Sequence, residues 1–498
     1  MDKNFTRLFK IFGAFCLLSF TTTLWAQTVS EWVVGPTRTV DIREFAKSLQ
    51  WEPATDAPSR SPLRVADPAP DDIRWIDRIH NLPSYLLTFY NNHHKAVQDA
   101  LNGKTNYLVD YKSGTQQETD LWEDYYMIPI KTWSYKIEYT FPDDVDYTDV
   151  NAKREYALLA VENAIDKHFE ELDNFMPYTF MSMSYDNPEA FWLGNFYTWC
   201  GCWNYRFNYI NEKGHDYVQY MYYTYFIIKG TVNDNPFDYR IVPFTTATQI
   251  KEGITEFKTL VDGILEDLPN STRYVQLRYL NDWLTKHNAY AANYDPNTSP
   301  SIVWSPMSAL RGTTGTAGPV CEAYSRALKV LLNRINIPCV LAVGDAKWDV
   351  SVTPESHMWN EVKMNDGNWY AVDVTWNDPM TGAANELKQS GAENEDWLLL
   401  GRNDIVAPGL TFAQSHPNSL AFGQSSSSHW DYDNETLIAD TRFDVSTYGV
   451  HQAAMTAGSV KVYSLLGVNI GTFESLDQAI SSLESGLYII NGRKVVVK

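Results

Sequence analysis

Cys321 opens a helical pattern, His357 opens a strand pattern 36 positions later, and Asp373 follows 16 positions beyond that. A thiol, an imidazole and a carboxylate supply a nucleophile, a general base and a group to orient the base, which is the set needed for acyl transfer through a covalent thioester. A lone cysteine at a helix start is usually a small buried residue. The weight falls on the ordered set of three, on helix, strand and strand. The other histidines after Cys321 are His416, His429 and His451, which fall in loop-like or Ser-rich contexts with no following strand carboxylate.

The elements that must position these residues are legible nearby. Gly315, Gly318 and Pro319 force a turn before Cys321. Tyr324, Ala327, Leu328, Leu331 and Leu332 then recur at helical spacing as one apolar stripe, and Asn336-Ile-Pro338 closes the helix. Cys321 is thereby expected at a helix N-terminus, where backbone N–H groups and the helix dipole favour a thiolate. The same N–H groups could hold an oxyanion.

His357 and Asp373 sit on the two arms of a hairpin, so the turn decides whether they meet. A two-residue turn at Asp366-Gly367 would put them on opposite faces of the sheet. A three-residue loop, Asn365-Asp-Gly367 with Gly367 left-handed, sets Met364 opposite Asn368 and His357 opposite Thr375. Asp373 is then a diagonal neighbour of His357 on the same face, at roughly 7–8 Å between backbones. The triad requires the three-residue loop.

Three segments resemble the core motifs of the transglutaminase-like superfamily, in its order: Gly318-Pro-Val-Cys321-Glu-Ala-Tyr324, His357-Met-Trp-Asn360, and Trp369-Tyr-Ala-Val-Asp373-Val-Thr-Trp-Asn-Asp-Pro379. Bacterial secreted members are also similar around Tyr185-Asp-Asn-Pro-Glu-Ala-Phe-Trp192, along the helix leading to Asp282-Trp-Leu-Thr-Lys-His287, and at Trp397-Leu-Leu-Leu-Gly401, so the likeness runs over roughly residues 155–420. Ala323 and Ser325 stand where that family usually has Gly and Ala. The resemblance implies an α+β fold with a papain-like core, a helix carrying Cys321 packed on an antiparallel sheet carrying His357 and Asp373. It implies Cys321 as nucleophile, His357 as general base and acid, and Asp373 as the orienting group, with no cofactor and no metal. Trp304 and Ser305 are the nearest upstream candidates for an oxyanion donor, although Trp304 reads equally well as core; Trp359 and Trp376 are candidate supports of the site.

Composition bounds the rest. The 498 residues are 44% hydrophobic and 14% aromatic, which excludes wholesale disorder, and allow two to four domains. Residues 1–26 read as a signal peptide, with Lys3, Arg7 and Lys10 ahead of an apolar run from Ile11 to Phe20 and Leu24-Trp-Ala26 before Gln27. No later stretch reaches transmembrane length, so no membrane span is expected in the mature protein. A formal net charge of −21 argues against nucleic acid as a partner. The acid cluster Asp143-Asp-Val-Asp146 reads as a solvated face, with no calcium-loop spacing. Cys339 lies in an apolar run and reads as buried and unpaired. Cys200-Gly-Cys202 reads as reduced or locally paired thiols.

Six regions are expected. Residues 1–26 are the signal peptide, and 27–70 an extended linker or pro-like segment. Residues 71–245 form a helical part, with 71–180 mainly helical, followed by an aromatic β-hairpin. From Phe191 to Phe226, 15 of 36 positions are aromatic, and the shared parity of Tyr220, Tyr222 and Phe226 favours packing over sugar binding. Residues 246–420 form the catalytic domain, entered through a helical stripe from Ile250 to Leu268 and a second at Leu277, Leu280 and Leu284. A Ser-rich linker spans 421–440. Residues 441–498 read as a small β-sandwich whose strands around Gly467 and Leu483-Glu-Ser-Gly-Leu-Tyr488 resemble the C-terminal sorting domain of the type IX secretion system. That likeness implies release outside the cell or display on its outer surface, with the secretion machinery as a partner.

Protein or peptide amides are the expected substrates. A papain-like cysteine peptidase and a non-catalytic surface adhesin or scaffold on the same fold are the competing readings.

Overall fold

The computed structural model describes residues 31–34, 38–43, 45, 74–79, 81–104, 125–139, 150–193, 196–206, 216–229, 247–291, 301–313, 318–378, 393–417, 438–445, 460–464, 469–473, 476–483, 486–490 and 493–497. Residues 1–26, expected to be a signal peptide, the Asp143–Asp146 cluster, most of the expected linker at 421–440 and the side chains of Cys200 and Cys202 lie outside them. The chain divides into two compact units, one of residues 1–36, 132–170 and 201–224, the other of residues 37–131, 171–200 and 225–498.

The N-terminal elements are β1 (Glu31–Val34), β2 (Arg38–Asp41), α1 (Ser84–Leu101), β3 (Tyr125–Tyr139), α2 (Val150–Asp186), β4 (Phe196–Arg206) and β5 (Asp216–Lys229). They differ from the sequence reading in two places. Residues 31–34 and 38–41, within the expected linker, are strands: β1 pairs with β4 from Glu31↔Tyr205 to Val34↔Cys202, and β2 pairs with its other end from Arg38↔Trp199 to Asp41↔Phe196. Residues 125–139 are strand rather than helix, because Tyr, Ile, Thr and Trp crowd a segment with no helical stripe. Strands β4 and β5 are neighbours in one sheet, and Tyr197 and Trp199 are each 1% exposed, whereas the side chains of Tyr220, Tyr222 and Phe226 lie outside the described residues.

In the second unit, α3 (Ala247–Glu266) and α4 (Arg273–His287) follow the two expected stripes; Ile250, Phe257, Val261, Ile264, Leu277, Leu280 and Leu284 are all buried. The six-residue α5 (Pro306–Arg311) leads to α6 (Cys321–Arg334), whose stripe Tyr324, Ala327, Leu328, Leu331 and Leu332 is wholly buried. This helix packs on an antiparallel sheet of order β6 (Cys339–Ala346), β7 (Glu355–Lys363), β8 (Trp369–Val372) and β9 (Leu398–Leu400). A short hairpin, β10 (Ile405–Ala407) and β11 (Leu410–Thr411), ends in the one-turn helix α7 (Phe412–Ser415).

The tail differs from the expected sandwich. Among the described residues it is one antiparallel sheet, built of β12 (Val460–Ser464), β13 (Asn469–Phe473), β14 (Gly486–Ile490) and β15 (Arg493–Val497) in the order β13-β12-β14-β15, with the helix α8 (Leu476–Ser481). Val460, Val462, Ala479 and Ile490 form its core, so the helix supplies the cover that a second sheet would otherwise provide.

Candidate active site

Cys321 is the first residue of α6 and is half-buried. Close backbone packing delivers it there. Ala291 N–H donates to the Pro319 carbonyl at 3.1 Å, and Val320 N–H donates to the Val303 carbonyl at 3.1 Å. A Cβ at Gly318 would stand 1.9 Å from the Ala289 carbonyl oxygen, so only glycine fits. Val320 caps the helix in extended conformation with no side-chain hydrogen bond. Behind Cys321 the helix is anchored by a buried pair: Arg326 Nε donates to Glu322 at 2.8 Å, and the same guanidinium reaches the Ser184 carbonyl and hydroxyl at 2.9 and 2.7 Å.

The hairpin register is the one that lets the imidazole and carboxylate meet. Rungs run from Lys363↔Trp369 to Asn360↔Val372, Met364 N–H donates to the Asn368 carbonyl at 2.9 Å, and Gly367 has φ 86°. One detail differs: Asp373 is not in the strand. The β7–β8 ladder stops at Val372, and Asp373 starts a turn closed by Asn377 N–H to the Asp373 carbonyl at 3.1 Å. That turn carries the carboxylate to His357, with Nε2 2.7 Å from Oδ2, while the other oxygen accepts the Trp376 N–H at 3.0 Å.

Electrostatics tie the group together. Burial disfavours the charged form of His357, but the Asp373 charge and hydrogen bond, with a smaller share from a hydrogen bond to Cys321, outweigh it and push the imidazole up to about 10. Burial likewise opposes ionisation of Asp373, yet His357 and His416 together hold its carboxyl well below the usual range.

His416, set aside on sequence grounds, is part of the site. Its Nε2 lies 3.3 Å from the same Asp373 Oδ2, and its ring is stacked on Phe412 at 4.3 Å and set edge-on to Trp359 at 4.6 Å. Burial pulls its pKa down to about 4. A sequence signal existed: Thr411-Phe-Ala-Gln414 forms a reciprocal capping box, which starts the one-turn helix that ends at His416.

Of the supporting candidates, Trp376 is stacked on His357 at 5.0 Å with rings 20° apart, and Trp359, fully buried, is stacked more distantly at 6.2 Å. Ser305 is engaged as the N-cap of α5, its Oγ accepting Met307 N–H at 3.3 Å. Trp304 packs in a core cluster with Ala291, Val303 and Val320, and the Arg43 guanidinium lies 4.0 Å from its ring centroid. These two placements favour structural duties over oxyanion binding. Cys339 is buried, with the Asn360 amide 3.3 Å from its sulfur. Donor atoms of His357, Asp373 and His416 lie within 4.8 Å of one another. Their spacing is that of two imidazoles hydrogen-bonded to one carboxylate oxygen.

A helix presenting a cysteine packs on an antiparallel sheet that carries a histidine–aspartate pair, a mixed helix and sheet arrangement consistent with a transglutaminase-like core. Residues 259–374 match the family model Transglut_core, the transglutaminase-like superfamily, and this transglutaminase-like domain contains Cys321, His357 and Asp373. Among solved structures the chain is similar to one described as "Crystal structure of a TGase", at 16% sequence identity and a TM-score of 0.22, over 35% of this chain and 45% of that one. The chain thus spans less than half the length of that protein. Comparison with curated proteins gives no match. No helix among the described residues is long and apolar enough to cross a membrane.

Proposed function

We propose that the transglutaminase-like domain is a cysteine-dependent acyl transferase or hydrolase acting on protein or peptide amides. The carrying observation is the 2.7 Å contact of the buried His357 imidazole with Asp373, on a sheet against which the helix that begins at Cys321 packs. In this reading the Cys321 sulfur attacks the amide carbonyl, and His357 hands its proton to the departing nitrogen as the thioester forms. His357 then accepts a proton from the second nucleophile, an amine for cross-linking or water for deamidation and hydrolysis, and Asp373 keeps the ring oriented throughout.

Export belongs to the same proposal. Residues 1–26 would direct secretion, and residues 441–498 would act as the sorting tail, leaving the enzyme outside the cell or on its outer surface. What supports the sorting reading is that the described part of the tail is a small four-stranded sheet, β12 to β15.

The test is incubation of the protein with casein, with and without a primary amine, followed by ammonia measurement and mass analysis of products. Ammonia release with amine incorporation, abolished by Cys321→Ala, is expected. Cleaved peptides without ammonia would indicate a peptidase, and no product at all would favour a non-catalytic surface protein.

A further inference from the structure

The Asp373 carboxylate has three donors rather than two. Trp376 N–H holds Oδ1 at 3.0 Å, while His357 and His416 share Oδ2 at 2.7 and 3.3 Å. His416 is held firmly in this position. Its backbone N–H donates to the Phe412 carbonyl at 2.8 Å, and the preceding Ser415 is stapled to Lys347 in both directions, through Lys347 N–H to the Ser415 carbonyl at 2.8 Å and Ser415 Oγ to the Lys347 carbonyl at 2.6 Å. Phe412, Trp359, Trp376 and Trp397 enclose its ring at centroid distances from 4.3 to 5.8 Å. The residue lies beyond residues 259–374, the segment matched to the transglutaminase-like family.

We infer that His416 is a positioning residue, whose Nε2–H shares the Asp373 carboxylate with His357 and fixes the carboxylate that orients the base. The inference rests on the proposed catalytic reading. A carboxylate oxygen that accepts from two imidazoles concentrates less charge on either one. His416 thereby tempers the grip of Asp373 on the His357 proton, which must be released to the leaving nitrogen in each cycle. The aromatic cage keeps water away from the shared oxygen. The titratable groups facing His416 are Asp373 and His357, with Cys321 reached through His357; Lys347 meets this segment through its main chain.

The decisive experiment is a histidine-selective NMR titration of the full chain, comparing wild type, His416→Phe and His416→Gln, with kcat and KM measured for amine incorporation into casein. In His416→Phe the His357 midpoint should rise by about half a pH unit or more, and kcat should fall about tenfold with KM little changed. Gln, whose side-chain amide can replace the donor, should restore both. A purely structural role would lower stability and leave the midpoint in place, and a folded His416→Phe with an unmoved midpoint overturns the inference. If His416→Phe does not fold, His416→Ala with and without added imidazole gives the same readout, and a midpoint indifferent to imidazole overturns it. Failure of the catalytic reading looks different: it appears as wild-type Cys321 that is no more reactive to iodoacetamide than buried Cys339.

Discussion

The Asn360 side-chain amide donates to the Ser325 carbonyl at 2.9 Å, and Ser325 Oγ donates to the Met358 carbonyl at 2.9 Å, so α6 and β7 are clamped together between Cys321 and His357. Asn360 is fully buried. Asn360→Ala leaves the Ser325 carbonyl without this donor and opens a cavity, at a cost of about 2 kcal/mol. Urea denaturation should show that loss. Activity should fall further than the folded fraction does, because the clamp sets the thiol-to-imidazole spacing.

Two glycines of the transglutaminase-like domain are predicted to respond in opposite degrees. Gly367 needs its left-handed φ but has open space around a hypothetical Cβ, so Gly367→Ala should cost only about 1–2 kcal/mol of backbone strain. Gly318→Ala drives a methyl into the Ala289 carbonyl and must displace the turn that presents Cys321. Thermal melts should rank the second variant well below the first, and amine incorporation into casein should survive in Gly367→Ala alone.

These contrasts show which parts of the molecule were legible in the sequence. The α6 stripe and the Asn365-Asp-Gly367 loop are local signals, and local chemistry fixes both the helix phase and the hairpin register. Asp373 was misplaced by one element because the end of a strand depends on where its partner stops pairing, at Asn360. His416 was overlooked because a one-turn helix has no periodicity to read, and its partner lies 43 residues upstream. Strand β3 was missed because its segment lies among helical patterns, and sheet pairing rather than local pattern decides it.

The buried pair beneath the nucleophile gives a third prediction. Arg326→Met leaves Glu322 without its guanidinium in a site where both side chains are under a tenth exposed, which should cost about 3–5 kcal/mol. Adding Glu322→Gln should recover part of that loss, because no uncompensated charge then remains. A double variant no more stable than Arg326→Met alone would show that the pair acts only through packing.

Glu361 supplies the pH-dependent prediction. It is fully buried on β7, and burial pushes its carboxyl well above the ordinary value of 4.5. A raised carboxyl contributes stability that is complete below the unfolded-state value and is lost as pH rises toward the folded-state value. Glu361→Gln should therefore gain stability relative to wild type as pH rises from about 4.5 to 8, and denaturation midpoints across that range check it. A difference that stays flat with pH would mean the carboxyl is ionised in the folded protein.

The most direct measurement is peptide-mapped alkylation by iodoacetamide at neutral pH, following Cys321 and Cys339 in the folded protein, with Cys321→Ala and His357→Gln alongside. If the triad acts as proposed, Cys321 is modified far faster than Cys339, the fast modification vanishes in Cys321→Ala, and it slows in His357→Gln. Cys321 reacting no faster in the folded protein than in urea, and unaffected by His357→Gln, would contradict it.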